Sequence, residues 1–129
     1  MSKTFLVLGV SAGAISAFVS FLFAYFFNQN LFDFSNVLPY WKIVSVDFTL
    51  ALISAGVYYG ITFISKSHSK IIFNPLFALC SIVSVLMPIT AKLEGIEFPE
   101  FYPTFALPLH LFFSVIFLAF SSIFIRHEK

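Results

Sequence analysis

The chain has 129 residues, of which 60% are hydrophobic and 10% are charged, and its net charge is +1. A soluble domain has about 45–50% apolar and about 25% charged residues, so this composition excludes an ordinary soluble protein. No basic cluster of the kind that binds phosphate backbones is found, so no nucleic-acid partner is expected. The sequence predicts an integral membrane protein with a single domain, residues 1–129, and without room for a separate catalytic domain.

The first predicted membrane span covers residues 4–27, which carry no formal charge. A hydrocarbon layer of about 30 Å needs roughly 20 helical residues, so this segment is long enough to cross it. Gly9, Gly13 and Ala17 recur at intervals of four residues on one helical face. This small-residue spacing lets two helix backbones approach closely, and it predicts a helix-packing face.

Residues 28–45 connect the first span to the second and mix polar side chains with aromatic ones. Pro39 breaks a helix in this segment because proline lacks a backbone N–H and clashes with the preceding turn. Tyr40, Trp41 and Lys42 have the amphipathic character of residues at a membrane interface. The segment is therefore predicted to lie along the membrane surface.

The second predicted span covers residues 46–64, with Asp47 at its start. A carboxylate is stabilised at that position because the N-terminus of a helix carries a partial positive charge. Gly56 and Gly60 repeat the close-packing spacing of the first span. They are predicted to form a second helix-packing face.

The third predicted span covers residues 71–91, and the fourth covers residues 104–125. The loop between them carries three carboxylates at intervals of three residues, Glu94, Glu97 and Glu100. Carboxylates can coordinate a hard cation, but the glycine and proline in this loop disfavour the regular helix that would align them. A solvated acidic loop is the favoured interpretation, and no metal site is expected.

Phenylalanine accounts for 20 residues and occurs in every segment. Large rings that face lipid or neighbouring helices are the favoured interpretation. An aromatic cage for a ligand is the alternative, but the sequence shows no cation site to accompany it.

Four spans predict an all-α bundle of antiparallel transmembrane helices, with both termini on the same side of the membrane. Five basic residues fall on that side and two on the other: Lys3, Lys66, Lys70, Arg126 and Lys129, against Lys42 and Lys92. Cytoplasmic flanks carry the excess of lysine and arginine in membrane proteins. Both termini are therefore predicted to be cytoplasmic, in a plasma membrane or bacterial inner membrane.

His110 lies about 9 Å inside the fourth span, at about 1.5 Å per helical residue. An ionisable side chain is costly to bury in a bilayer, so it indicates a functional position. The same depth along the other spans reaches Ser20, Ser54 and Ser84, and Ser114 follows His110 on the same helical face. These residues form a candidate polar layer, in which His110 is expected to bond a serine of a neighbouring helix. Structural packing, with each serine bonded to a carbonyl of its own helix, is the alternative and the more usual arrangement.

No catalytic residue, metal ligand or cofactor site is predicted. A Ser/His/Asp arrangement is not supported, because Asp47 and Glu94 are expected at the membrane boundary above His110. The other histidines, His68 and His127, are expected on the far side of the membrane and cannot share a metal with it. None of the spans is expected to hold the buried acidic residue of a small proton-coupled exporter.

Two short segments carry a resemblance to a known family. SVLMPITA (residues 84–91) ends the third span, and FALPLHLFFSVIFL (residues 105–118) lies in the fourth. The first segment has a proline and then a small polar end, and the second has a histidine after a short apolar run. In this pattern the chain resembles a family of small four-helix membrane proteins catalogued as a domain of unknown function. The resemblance implies a four-helix fold and marks His110. It implies no activity, because the family has none assigned.

The expected function is that of a non-enzymatic accessory, assembly or regulatory subunit that binds another membrane protein or a second copy of itself. Small size and the lack of a catalytic arrangement support this interpretation. The alternative is a small oligomeric channel or transporter, in which the polar layer around His110 lines the path.

Overall fold

The computed structural model describes residues 2–125, and this part of the chain is all-α. Its four long helices are α1 (Lys3–Asn30), α2 (Tyr40–Ile64), α3 (Ser69–Thr90) and α4 (Tyr102–Phe124), the last preceded by a single 3-10 turn (Pro99–Phe101). Each helix is long and apolar enough to cross a bilayer. The prediction of a multi-pass membrane protein built as a bundle of four antiparallel helices is confirmed.

The four helices do not pack evenly. α1 packs along α2 and α4, and α3 packs on α4, whereas α2 and α3 touch each other little. Accordingly, α1 is the most enclosed helix and α3 the least enclosed. The bundle is therefore tight around α1 and loose along the line between α2 and α3.

The closest contact in the bundle joins α1 to α2. A Cβ atom built on Gly9 would lie 3.1 Å from the Cβ of Ala55, and one on Gly13 would lie 3.1 Å from the Cβ of Ala51. Both alanines are fully buried. Small residues on both helices let the backbones approach, as expected for this spacing.

Gly56 and Gly60 take no part in such a contact. No heavy atom of another part of the structure lies within 4 Å of a Cβ built on either glycine. They lie about 100–140° around α2 from Ala55, which faces α1. The prediction of a second helix-packing face is therefore wrong, because the spacing specifies a small-residue face but not whether another helix covers it.

Aromatic rings fill both ends of the bundle. At the end where α1 begins and α4 ends, Phe5, Phe117 and Tyr58 belong to one core cluster. In this cluster the rings of Tyr58 and Phe73 stack with centroids 4.1 Å apart and planes only 8° from parallel. This stack joins α2 to α3 close to the turn between them. At the other end, a second cluster surrounds Phe105.

The loop between α1 and α2 folds back into the second cluster. Phe34 is buried, and its backbone N–H donates a hydrogen bond of 3.1 Å to Oδ1 of Asn28. Across the same end, the rings of Phe32 and Phe101 stack with centroids 4.4 Å apart and so tie this loop to the one before α4. Hydrogen bonds from the side chain and backbone of Ser35 lower the pKa of the exposed Asp33 carboxyl.

α2 begins six residues earlier than the predicted span. Pro39 lies immediately before its first residue, Tyr40, where proline interrupts no helical hydrogen bond. Residues 40–45, which the sequence assigned to the segment connecting the first two spans, are therefore the first residues of α2. Asp47 becomes the eighth residue of the helix, about 10 Å from its start, rather than a first-turn residue stabilised by the helix dipole.

Candidate functional site

A cavity of about 570 Å³ lies between α2, α3 and α4, where α2 and α3 diverge from the Tyr58–Phe73 stack. Its walls are mainly apolar and include Ile43, Val46, Leu50, Ile53, Leu76, Phe77, Met87, Ala106, Leu109 and Phe113. Several of these side chains, among them Ile53 and Met87, are exposed, so the cavity is open rather than enclosed.

Polar side chains from all three helices face this apolar space. Four residues of the predicted polar layer line it, namely Ser54, Ser84, His110 and Ser114. The fifth, Ser20, lies on α1 and is fully buried. The structure thus brings four of the five residues to one cavity and places the fifth behind its wall.

Asp47 connects Ser20 to the cavity. The hydroxyl of Ser20 donates a hydrogen bond of 2.6 Å to Oδ2 of Asp47. The Asp47 side chain lines the cavity although the residue is only 6% exposed. In the described part of the chain, every fully buried side-chain oxygen has a hydrogen-bond partner, and Oδ1 of Asp47 has none. Oδ1 is therefore the carboxylate oxygen that faces the open space.

Asp47 and His110 lie at similar depths. His110 is the ninth residue of α4, about 12 Å from the start of that helix, against about 10 Å for Asp47 in α2. Both residues line the same cavity. The expectation that the carboxylate lies at the membrane boundary above the histidine is wrong, as is the expectation that none of the spans holds a buried acidic residue.

Two serines of the predicted polar layer bond within their own helices. Ser84 donates to the carbonyl oxygen of Ser81 at 2.7 Å, and Ser114 donates to that of His110 at 3.0 Å. In residues 2–125 no serine is hydrogen-bonded to the imidazole of His110. The expected bond between His110 and a neighbouring helix is therefore absent from this part of the chain, and the bond between helices at this level is the one from Ser20 to Asp47.

Sequence reasoning missed Asp47 as a site residue because the start of α2 was set too late. The interfacial character of Tyr40 to Lys42 lowers the local hydropathy and favours a later boundary. Two signals favoured the earlier one. Pro39 is an acceptable residue just ahead of a helix, and Ile43 continues the apolar pattern toward it.

The chemistry open to the cavity depends on the ionisable side chains on its wall. No group of three or more histidine, cysteine, aspartate or glutamate side chains in residues 2–125 is placed to hold a metal ion. The carboxylates of Glu94, Glu97 and Glu100 are exposed. His127 lies outside the described residues. The wall of the cavity carries the Asp47 carboxylate and the His110 imidazole, together with the Lys42 amino group, the Cys80 thiol and the Tyr102 hydroxyl. The carboxylate and the imidazole can bind a polar head group or exchange a proton.

Comparison of the chain with protein-family models, with curated proteins and with solved structures finds no match.

Proposed function

We propose that the protein binds a small amphipathic molecule within the bilayer, in the cavity between α2, α3 and α4. The observation that carries the proposal is the combination of about 570 Å³ of apolar space with Asp47 and His110 on its wall. Pockets for small molecules commonly enclose about 300–1,000 Å³ and combine apolar walls with a few polar groups. This cavity has both properties.

The loss of stability caused by the polar residues of the cavity supports a role in binding. A charged or ionisable side chain inside a membrane lowers stability and is usually kept for a function. Close packing fills the contact between α1 and α2, yet the space beside Asp47 remains open. A molecule with an apolar body and a polar head would fill that space and pair with its polar groups.

A binding cavity favours the transporter alternative over the accessory subunit. The apolar outer faces of the helices, including that of α3, suit lipid as well as a partner protein. Binding to another membrane protein or to a second copy remains a prediction from the sequence. The resemblance of α3 and α4 to a family of small four-helix membrane proteins also remains a prediction and carries no part of this proposal.

The orientation that we propose places both termini in the cytoplasm of a cell whose plasma or inner membrane holds the protein. The five basic residues on the terminal side support it, although Arg126 and Lys129, with the opposing Glu128, lie outside the described residues. The cavity lies nearer the opposite end of the bundle, where Asp47 is about 10 Å from the start of α2. It would then lie in the outer half of the membrane.

Single-cysteine labelling tests this orientation. In a Cys80→Ala background, Asn36→Cys and Ser67→Cys place one thiol on an exposed residue at each end of the bundle. A membrane-impermeant maleimide added to intact cells should label the cysteine at position 36 and not the one at position 67. Labelling of position 67 alone would reverse the orientation, and labelling after cell lysis provides the control for reactivity.

Saturable binding of small probes to the protein in lipid nanodiscs tests the binding function. The probes are 2-(1-naphthyl)ethylamine, 2-(1-naphthyl)ethanol and 1-naphthylacetate, which share one apolar body and differ in charge. At least one probe should bind saturably above the level of empty nanodiscs. Ser54→Trp should weaken that binding at least about tenfold, because the indole would occupy the cavity that Ser54 lines.

Thr49→Trp is the matched control. Thr49 is exposed on the same helix and does not line the cavity, so this variant should bind like the unaltered protein. If no probe binds saturably, or if the two tryptophan variants behave alike, the cavity is not a ligand site.

A further inference from the structure

We propose that the cavity selects cations, namely molecules that carry an ammonium group on an apolar body, with Asp47 as the counter-ion. This inference rests on the binding function proposed above and names the class of molecule that the site takes. The observation behind it is a carboxylate that is almost enclosed, faces the cavity with one oxygen and has no cationic partner of its own in residues 2–125.

Asp47 is the one acidic residue within the four long helices of the described chain. Its only side-chain hydrogen bond there comes from the hydroxyl of Ser20, which orients the carboxylate without neutralising it. A buried carboxylate without a cation or proton is costly, and the cost is larger inside a membrane. A ligand that brings a positive charge to Oδ1 removes that cost, whereas a neutral or anionic ligand does not.

None of the other polar groups near the cavity supplies a permanent positive charge to the Asp47 carboxylate. α1 contributes Ser20, α3 contributes Cys80 and Ser84, α4 contributes Tyr102 and His110, and α2 itself contributes Lys42. Lys42 is the permanent cation among them. Its amino group lies 5.7 Å from the centre of the Trp41 ring, at the exposed start of α2 and about 140° around the helix from Asp47. His110 is the one internal competitor for the carboxylate.

The walls of the cavity favour an organic cation over a metal ion. Metal ions need several oxygen or nitrogen ligands, and no such group is gathered in residues 2–125. Aromatic side chains line the space as well, including Phe77, Phe113 and Tyr102. Ring faces attract ammonium groups, and this attraction strengthens when water is excluded. Aromatic side chains, which the sequence offered only as an alternative ligand site, thus line the same cavity as a carboxylate.

The three naphthyl probes test the selectivity directly on the unaltered protein. The amine should bind at least about tenfold more tightly than the alcohol, because its ammonium group brings a positive charge to the carboxylate whereas the alcohol brings only a neutral donor. The acid should bind most weakly, because its carboxylate would face Oδ1. Empty nanodiscs give the partitioning of each probe into lipid, which is subtracted.

Asp47→Asn identifies the residue responsible. Asparagine keeps an oxygen that accepts the Ser20 hydrogen bond but removes the charge. The amine should then bind within about twofold of the alcohol, and the binding of the alcohol should not change. Asp33→Asn is the control, because that carboxyl lies in an exposed loop away from the cavity and its loss should leave the preference for the amine intact.

The outcomes separate this inference from the binding function. Equal binding of amine and alcohol to the unaltered protein, with both weakened by Ser54→Trp, would overturn the cation selectivity and leave the binding site in place. Tightest binding of the acid would also overturn it and would point to His110 or Lys42 as the selective group. These comparisons use the unaltered protein, so they decide the matter even if Asp47→Asn does not fold.

Discussion

α2 carries small residues on two of its sides, and only the side toward α1 is packed against another helix. Toward α1, Ala51 and Ala55 meet Gly13 and Gly9 so closely that a Cβ on either glycine would be crowded. Gly56, on another side of the same helix, meets nothing. Small residues permit a close approach, but one forms only where another helix lies against them.

Among the substitutions that test this comparison, Gly13→Leu is expected to change the free energy of unfolding most. The added side chain would meet the Phe48 ring at 3.0 Å and the Phe48 Cα at 3.3 Å, and the second of these contacts is with backbone that cannot rotate away. Overpacking of this kind lowers the free energy of unfolding by about 1–3 kcal/mol. Equilibrium unfolding in mixed micelles with increasing sodium dodecyl sulfate measures the change.

Gly56→Leu is the matched control for this substitution. The sequence alone predicts that it destabilises the bundle, whereas the structure places open space around Gly56. The free energy of unfolding should be unchanged, or raised by up to about 1 kcal/mol because leucine is the better helix former. Equal losses from the two substitutions would show that α1 and α2 do not pack as described.

A smaller effect is expected from Ser20→Ala, which removes the hydrogen bond between α1 and the cavity side of α2. Side-chain hydrogen bonds between membrane helices contribute about 0.6 kcal/mol on average and about 1.7 kcal/mol at most, so a loss within that range is expected. Ser84→Ala should change the free energy of unfolding less, because that hydroxyl bonds within its own helix. A loss from Ser84→Ala as large as that from Ser20→Ala would show that the serines of the cavity also hold neighbouring helices together.

Sequence reasoning predicts the apolar helices of this molecule well, but it does not predict that α2 and α3 pack loosely against each other. α1 and α4 were predicted within three residues at each end, because each is an apolar run without internal charge. The start of α2 was missed because interfacial residues and a buried carboxylate lower its hydropathy, while burial of Ile43 and the position of Pro39 extend the helix. Composition cannot weigh those tertiary contacts against the local polarity.

The sequence predicts only part of the candidate site. Counting residues from the membrane boundary predicted His110, Ser54 and Ser84 at one level. The structure places them on one cavity, but Ser54 is about 21 Å from the start of α2, against about 12 Å for His110 in α4, so the prediction of a common level is wrong for Ser54. The bond from Ser20 to Asp47 joins residues 27 positions apart, so it depends on how α1 and α2 pack. The cavity itself depends on the angle between α2 and α3, which no local pattern encodes.

The Tyr58–Phe73 stack holds α3 near one end, so a tilt of this helix moves its other end most. The stack lies near one end of α3, and the helix runs on from Phe73 to Thr90, a length of about 25 Å. A tilt of about 5° around the stack displaces the far end by about 2 Å, while the stacked rings themselves shift far less. Met87, which belongs to that far part of α3, lies on the wall of the cavity. A small tilt of α3 therefore changes the width of the cavity more at this end than beside the stack.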